Sequence, residues 1–529
     1  MNLWQSDTAG PDQHPEQREL ELEPGFLLQP TRAVALARQS QLTLRASAAT
    51  TVLMQRSCSG LQELLQRGVP IYGETTGFGP HVCYARGDAE SETHGRHLLE
   101  HLGAGAGPAT PRAVVRGTIL LRCLTMARGY SAVRPEIFAG YARLLEIDDL
   151  YPWVPQLGSV GASGDLVPLA HIARAITGQG SFLARNNSDA APIAAGPILA
   201  NLGVPALLPR AREALSMSNG VSYSAAWAIF ALDHARRLLD RVEECAGLLY
   251  ALLGASPAAL DAELHRARGH IGQSESADRI SGWLARVAVR PASPTASASQ
   301  SAPERPLQEV YSLRCIPQIA GAVRTQLDQA EASLQSEING VSDNPVIYYR
   351  EEEAQVAHGG NFFGQQIAFA SDAINQGITQ LGLLVERQIA LLANPAQNGG
   401  APLLLAGSQG LDSGLAGGQL TASAIVAEMR LRCQSAATAT VPTNGDNQDI
   451  VSMSPIAARS AYDQADRLAP LIAVLGISIR QLNYLREAGT APGQTIVMPD
   501  WLADVAPLPH DRALHDDIAR LSARLMPQD

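Results

Sequence analysis

The run Gly158-Ser159-Val160-Gly161-Ala162-Ser163-Gly164-Asp165 crowds three glycines around Ser163, just before the apolar stretch Leu166-Val167-Pro168-Leu169. Its centre, Ala162-Ser163-Gly164, can condense with itself. If the backbone nitrogen of Gly164 attacks the Ala162 carbonyl and two waters leave, a five-membered ring forms that carries an exocyclic methylidene from Ser163. Glycine suits the attacking position, because an amide beside no Cβ bends into the cramped geometry required. The product is an electrophile, which no unmodified side chain provides. Three residues alone are more often a flexible Gly/Ser loop, so the reading depends on their neighbours. A serine nucleophile fits poorly: the run lacks the G-x-S-x-G spacing of a nucleophile elbow. His171, eight residues on within an apolar helical pattern, is badly placed to be a base for Ser163. No phosphate-binding G-x-x-x-x-G-K-[ST] occurs, and Gly103-Ala104-Gly105-Ala106-Gly107 does not fit a dinucleotide fingerprint.

Such a turn needs a large framework, and 529 residues exceed one typical core. Apolar residues recur at three- and four-residue steps through 225–253, 362–392, 419–437 and 456–485, with shorter helical patterns at 98–102 and 112–128. Strand signals are sparse. The prediction is all-α, with long antiparallel helices in a bundle. Residues 1–24 read as a loose polar tail, 25–207 as an N-terminal domain carrying the turn, and 208–529 as a C-terminal helical domain. Within the last, 290–306 is rich in Ser, Ala and Pro and reads as a flexible insertion.

Charged residues make up 17% of the chain, against roughly 25% in ordinary soluble proteins. That scarcity predicts surface buried against further copies of the chain. Net charge is −11 with no basic stripe, which argues against nucleic-acid binding. Six cysteines lie scattered without C-x-x-C spacing, so neither a disulfide framework nor a metal site is expected. Neither a secretory signal nor a membrane span is expected, and with reduced thiols this predicts a cytoplasmic protein.

Three further motifs accompany the turn: Tyr72-Gly73-Glu74-Thr75-Thr76-Gly77-Phe78-Gly79, Tyr311-Ser312-Leu313-Arg314 and Asn447-Gln448-Asp449-Ile450. A phenolate is a stronger base than imidazole, but an unperturbed tyrosine stays protonated near neutrality unless a positive potential lowers its pKa of about 10. A guanidinium fork holds a carboxylate with two parallel hydrogen bonds. In this order, with Ser218-Asn219-Gly220, Glu337-Ile338-Asn339-Gly340 and His358-Gly359-Gly360-Asn361-Phe362, the motifs resemble the aromatic amino acid ammonia-lyase family from about residue 30 to 485.

The resemblance implies a fumarase/aspartase-like long-helix fold and a methylidene-imidazolone (MIO) group formed from Ala162, Ser163 and Gly164, with no metal and no dissociable cofactor. It implies a homotetramer with pockets shared between subunits. Tyr72 would take the β-proton, Tyr311 would stand beside the prosthetic group, and Arg314 would bind the substrate carboxylate. Gly79, Asn219, Phe362, Asn447 and Gln448 would complete the pocket. His101 and Leu102 match the tyrosine-directed branch, in which the imidazole reads the substrate phenol; the histidine-directed branch has Ser-His there and a glutamate where Asp449 stands. A simpler role for His101 is packing beside His97. The expected reaction is elimination of ammonia from L-tyrosine to trans-p-coumarate. Phenylalanine or histidine lyase, an aromatic 2,3-aminomutase and a catalytically silent helical scaffold are the alternatives. The chain departs from the family pattern at Glu74, where a small or apolar residue is usual, at Glu309 and at Gly417-Gly418. The charge of Glu74 is expected to bear on Tyr72.

Overall fold

The long apolar patterns become four helices that lie side by side, Ser222–Leu253, Ile316–Asn339, Gln365–Ala393 and Ser454–Glu487, in a computed structural model that describes residues 18–87, 90–185, 187, 190–290 and 306–526. The last has its broadest faces against Gln365–Ala393 and Ser222–Leu253. Pro455 sits in its first turn, where a missing N–H costs no intrahelical bond. Leu468, Leu471, Ile472, Leu475, Ile479 and Leu482 along it are buried. Its composition would pass for a membrane span, yet 83% of that apolar stretch is covered by the protein itself. Ser222–Leu253 stops at Gly254, whose φ of +63° is the left-handed conformation that glycine adopts freely.

Two boundaries differ from the periodicity for identifiable reasons. The pattern expected from 362 starts as helix only at Gln365, so Phe362 stays in the loop after Gly359-Gly360. The pattern expected to reach 437 stops at Arg432. There the Asp372 carboxylate accepts from Ser435 Oγ (2.5 Å) and from the backbone N–H groups of Ala436 and Ala437 (3.1 and 3.0 Å), which draws the chain out of the helix.

The N-terminal third is built of shorter helices and strand pieces, none longer than five residues among the described strands. The tail is not loose through residue 24: Glu19–Leu22 pairs in parallel with Thr43–Ala46. The cause is a period-two pattern that buries Leu20 and Leu22 while Glu19 and Glu21 face solvent. Residues 1–17 lie outside the described part, as does all of the 290–306 segment except its two ends. Strand Pro155–Leu157 pairs with Ala106–Ala109 and delivers the chain to Gly158, where the glycine-rich turn begins. One continuous apolar core runs from Leu20 to Leu525.

Candidate active site

The turn is tight because its surroundings are backbone. Ser163 has φ of +57°, rare for a residue with a side chain, between Gly161 at +80° and Gly164 at +76°. A Cβ on Gly164 would collide with the Gly220 carbonyl oxygen, and one on Gly161 would strike Ser452 Oγ. Only glycine therefore fits at the nitrogen that ring closure would use. Asp165 N–H donates to Gly220 O at 2.7 Å, and Met453 N–H donates to Val160 O at 2.9 Å. The turn is thus fastened on both flanks, just ahead of two long core helices.

Asn219 holds the serine. Its Nδ2 donates to Ser163 O at 2.9 Å and to Ser163 Oγ at 2.8 Å, while its buried Oδ1 has no partner among the described residues. The Asn219 carbonyl accepts from Arg122 Nη1 at 2.6 Å. Arg122 and Arg212 flank the fully buried Asp343, which also accepts from Ser216 Oγ at 2.8 Å. The two guanidinium groups hold the Asp343 carboxyl below its ordinary range against the opposing effect of burial. Asp343→Ala would strand two buried cations, and a destabilisation of about 3–5 kcal/mol is expected from denaturant unfolding. The Asp343 contribution is complete above the ordinary aspartate range and fades only as pH falls through the depressed value.

Asp165, directly after the tripeptide, accepts from Ser224 N–H (2.8 Å) and Ser224 Oγ (2.5 Å). Burial pushes its carboxyl up to about 7, against the pull of those bonds. His171 is buried edge-on against Trp153 at 5.2 Å, and burial lowers it to about 4. It serves packing, consistent with its rejection as a base.

A cavity of about 630 Å³ opens over the turn, lined by Tyr72, Gly79, His101, Leu102, Ala162, Ser163 and Gln448. An adjoining cavity shares Tyr72, Gly79, Ala162, Ser163 and Gln448 and adds Phe362, Asn447 and Asp449. The structure thus brings together most residues singled out from sequence. Gln448 Oε1 accepts from Thr443 Oγ1 at 3.1 Å and from Asn444. Tyr72 Oη accepts from Gly79 N–H at 2.8 Å. Burial raises the Tyr72 pKa above 10, and the Gly79 contact works in the opposite direction. No cation among the described residues offsets the effect of burial. His101 ends the helix Ser91–His101, with Nδ1 3.1 Å from the His97 carbonyl. A carbonyl only accepts, so Nδ1 carries the proton and the neutral ring keeps Nε2 as an acceptor.

Tyr311 and Arg314 stand elsewhere. Arg314 lies 4.6 Å over the Tyr311 ring, and its Nε donates to Glu309 O at 2.7 Å. Tyr311 is 69% exposed, and neither residue lines either cavity. Sequence reasoning also missed Arg122, Asp165, Arg212 and Ser224 behind the turn. Only the buried charge within the run Leu120-Leu121-Arg122-Cys123-Leu124 hinted at one of them.

The aromatic amino acid lyase family profile matches residues 28–498. The chain is 37% identical over 481 residues to a tyrosine ammonia-lyase of Cupriavidus metallidurans, covering 88% of each chain. It is 34% identical over 501 residues to an MIO-dependent tyrosine 2,3-aminomutase of Streptomyces globisporus, covering 92% of this chain and 91% of that one. The crystal structure of a tyrosine aminomutase from Streptomyces globisporus superposes with a TM-score of 0.84, at 31% identity, over 95% of this chain and 96% of that one. The chain is accordingly an enzyme of the aromatic amino acid lyase family.

Proposed function

We propose that the protein is a tyrosine ammonia-lyase, eliminating ammonia from L-tyrosine to give trans-p-coumarate. The observation that carries this is the His101 ring at the cavity with Nδ1 turned to the His97 carbonyl: the neutral ring then offers Nε2 as an acceptor, which suits a phenolic O–H donor and finds none on phenylalanine. Ala162, Ser163 and Gly164 would form the MIO group, which supplies an electrophilic methylidene carbon. The left-handed Ser163, the glycine-only position at 164 and the Asn219 amide on Ser163 support that assignment. Tyr72 Oη receives the β-proton, with the Gly79 N–H steadying the phenolate. Phe362, Asn447 and Gln448 close the far wall.

Arg314 fixes the substrate carboxylate from a neighbouring copy in a homotetramer, with Tyr311 beside it. This accounts for an exposed Tyr311 and a cavity that contains neither residue. A guanidinium arriving that way also provides the positive charge that Tyr72 lacks in a single chain. A tyrosine 2,3-aminomutase is the second reading, favoured by the Streptomyces globisporus relative.

Turnover of tyrosine, phenylalanine and histidine, with β-amino acid measured alongside, separates these readings. Tyrosine is expected to be preferred, with coumarate as product; β-tyrosine as the main product would give the aminomutase. His101→Phe should lower kcat/KM for tyrosine by about 100-fold, because the phenol then loses its hydrogen-bond partner. Unchanged tyrosine preference in that variant would remove His101 from its role.

A further inference from the structure

The cavity walls are carried by separate elements, and one side chain outside the cavity ties three of them together. Glu74 is 6% exposed. Its Oε1 accepts from Ser91 Oγ at 3.0 Å, and its Oε2 accepts from the backbone N–H of Arg212 at 2.8 Å. Ser91 Oγ in turn accepts from the backbone N–H of Ala211 at 3.1 Å. Glu74 therefore does not face Tyr72, as its place in the loop suggested. It satisfies the first turn of the helix Ala211–Ser218, whose leading N–H groups have no partners within the helix.

The three joined elements bear the reacting side chains. Tyr72 is two residues before Glu74. Ser91 opens the helix that ends at His101. Arg212 lies on the helix whose C-terminal cap, Asn219, holds Ser163. Two further contacts keep the same elements close. Phe78, 6.2 Å edge-on from Tyr72, stacks on His94 at 4.1 Å and 7°. A Cβ on Gly95 would come within 2.8 Å of Pro209 O, so the helix Ser91–His101 meets the segment leading into Ala211–Ser218 almost backbone to backbone.

We propose that Glu74 is a positioning residue that sets Tyr72 relative to His101 and Ser163 by bonding the tyrosine loop to both helices. The proposal rests on the roles given to those three residues above. An apolar residue at 74 leaves the buried Arg212 N–H unpaired and frees the loop to shift against the helix Ser91–His101. Glutamine retains an oxygen for Arg212 N–H and places its amide on Ser91 Oγ, so it preserves the junction without the charge.

The test compares purified full-length wild type, Glu74→Val, Glu74→Gln and Ser91→Ala for kcat, KM, tyrosine-to-phenylalanine preference, intact mass and melting temperature. Glu74→Val is expected to lower kcat by about 10- to 100-fold, the scale of a displacement near 1 Å, with a smaller change in KM, at temperatures where it is fully folded. Its tyrosine preference should narrow, its intact mass should match the wild-type pattern, and Glu74→Gln should recover most of the kcat. Ser91→Ala should show a weaker form of the same kcat loss, which keeps the test decisive if Glu74→Val does not fold. A folded Glu74→Val with wild-type kcat and preference overturns the proposal, as does wild-type kcat in Ser91→Ala when Glu74→Val is unfolded. If wild type itself prefers another amino acid, the tyrosine assignment falls, and the kcat comparison is made on that substrate.

Discussion

Wild-type protein is expected to show a mass deficit of two waters that Ser163→Ala lacks, and Ser163→Ala to lose turnover by about 10⁴-fold or more, since the reaction then has no electrophile. The substitution is mild for the fold. Ser163 is only partly buried, and its hydroxyl bond is to the Asn219 amide, which keeps Ser163 O as an acceptor. Loss of turnover with an unchanged melting temperature is therefore the expected pair of results. Intact-mass spectrometry of the two proteins decides it directly: a wild-type mass equal to that of the uncyclised sequence removes the ring and the reaction built on it.

Tyr72→Phe separates the ring from the proton transfer. The variant is expected to keep the mass deficit, because ring closure involves residues 162–164, yet to lose about 10²- to 10⁴-fold in kcat, the usual scale for removing a general base. It also removes the acceptor of the Gly79 N–H, so a small loss of stability should accompany the kinetic loss. Since burial holds the phenol above its ordinary pKa in one chain, the wild-type rate should rise with pH toward the alkaline side as more phenolate forms. A rate retained in Tyr72→Phe would assign the proton to another group, whereas a rate flat with pH but lost in that variant would mean that the neighbouring copy's Arg314 outweighs burial at the phenol.

Much of this was legible from one sequence because the informative features are local. The long helices announce themselves by apolar spacing, and the glycines around Ser163 mark a turn that only glycine can make. What stayed hidden depends on partners far along the chain. Glu74 stood out as an unexpected charge, but nothing local says that its acceptors are spent on Ser91 and Arg212 rather than on Tyr72. Arg122, Arg212 and Asp343 are ordinary charges in sequence and become a buried cluster only when three elements meet. Tyr311 and Arg314 stood out by resemblance as pocket residues, but that they stack on each other away from their own chain's cavity is a matter of three-dimensional placement.

The way the tripeptide turn is fastened also bears on how the protein fails. Gly220 on one side and Ser452 with Met453 on the other immediately precede the two longest helices, Ser222–Leu253 and Ser454–Glu487. The turn is thus expected to open only together with the starts of those two helices. Heat inactivation arising at Ser163 and global melting should then coincide, with residual activity during warming counting the molecules still folded.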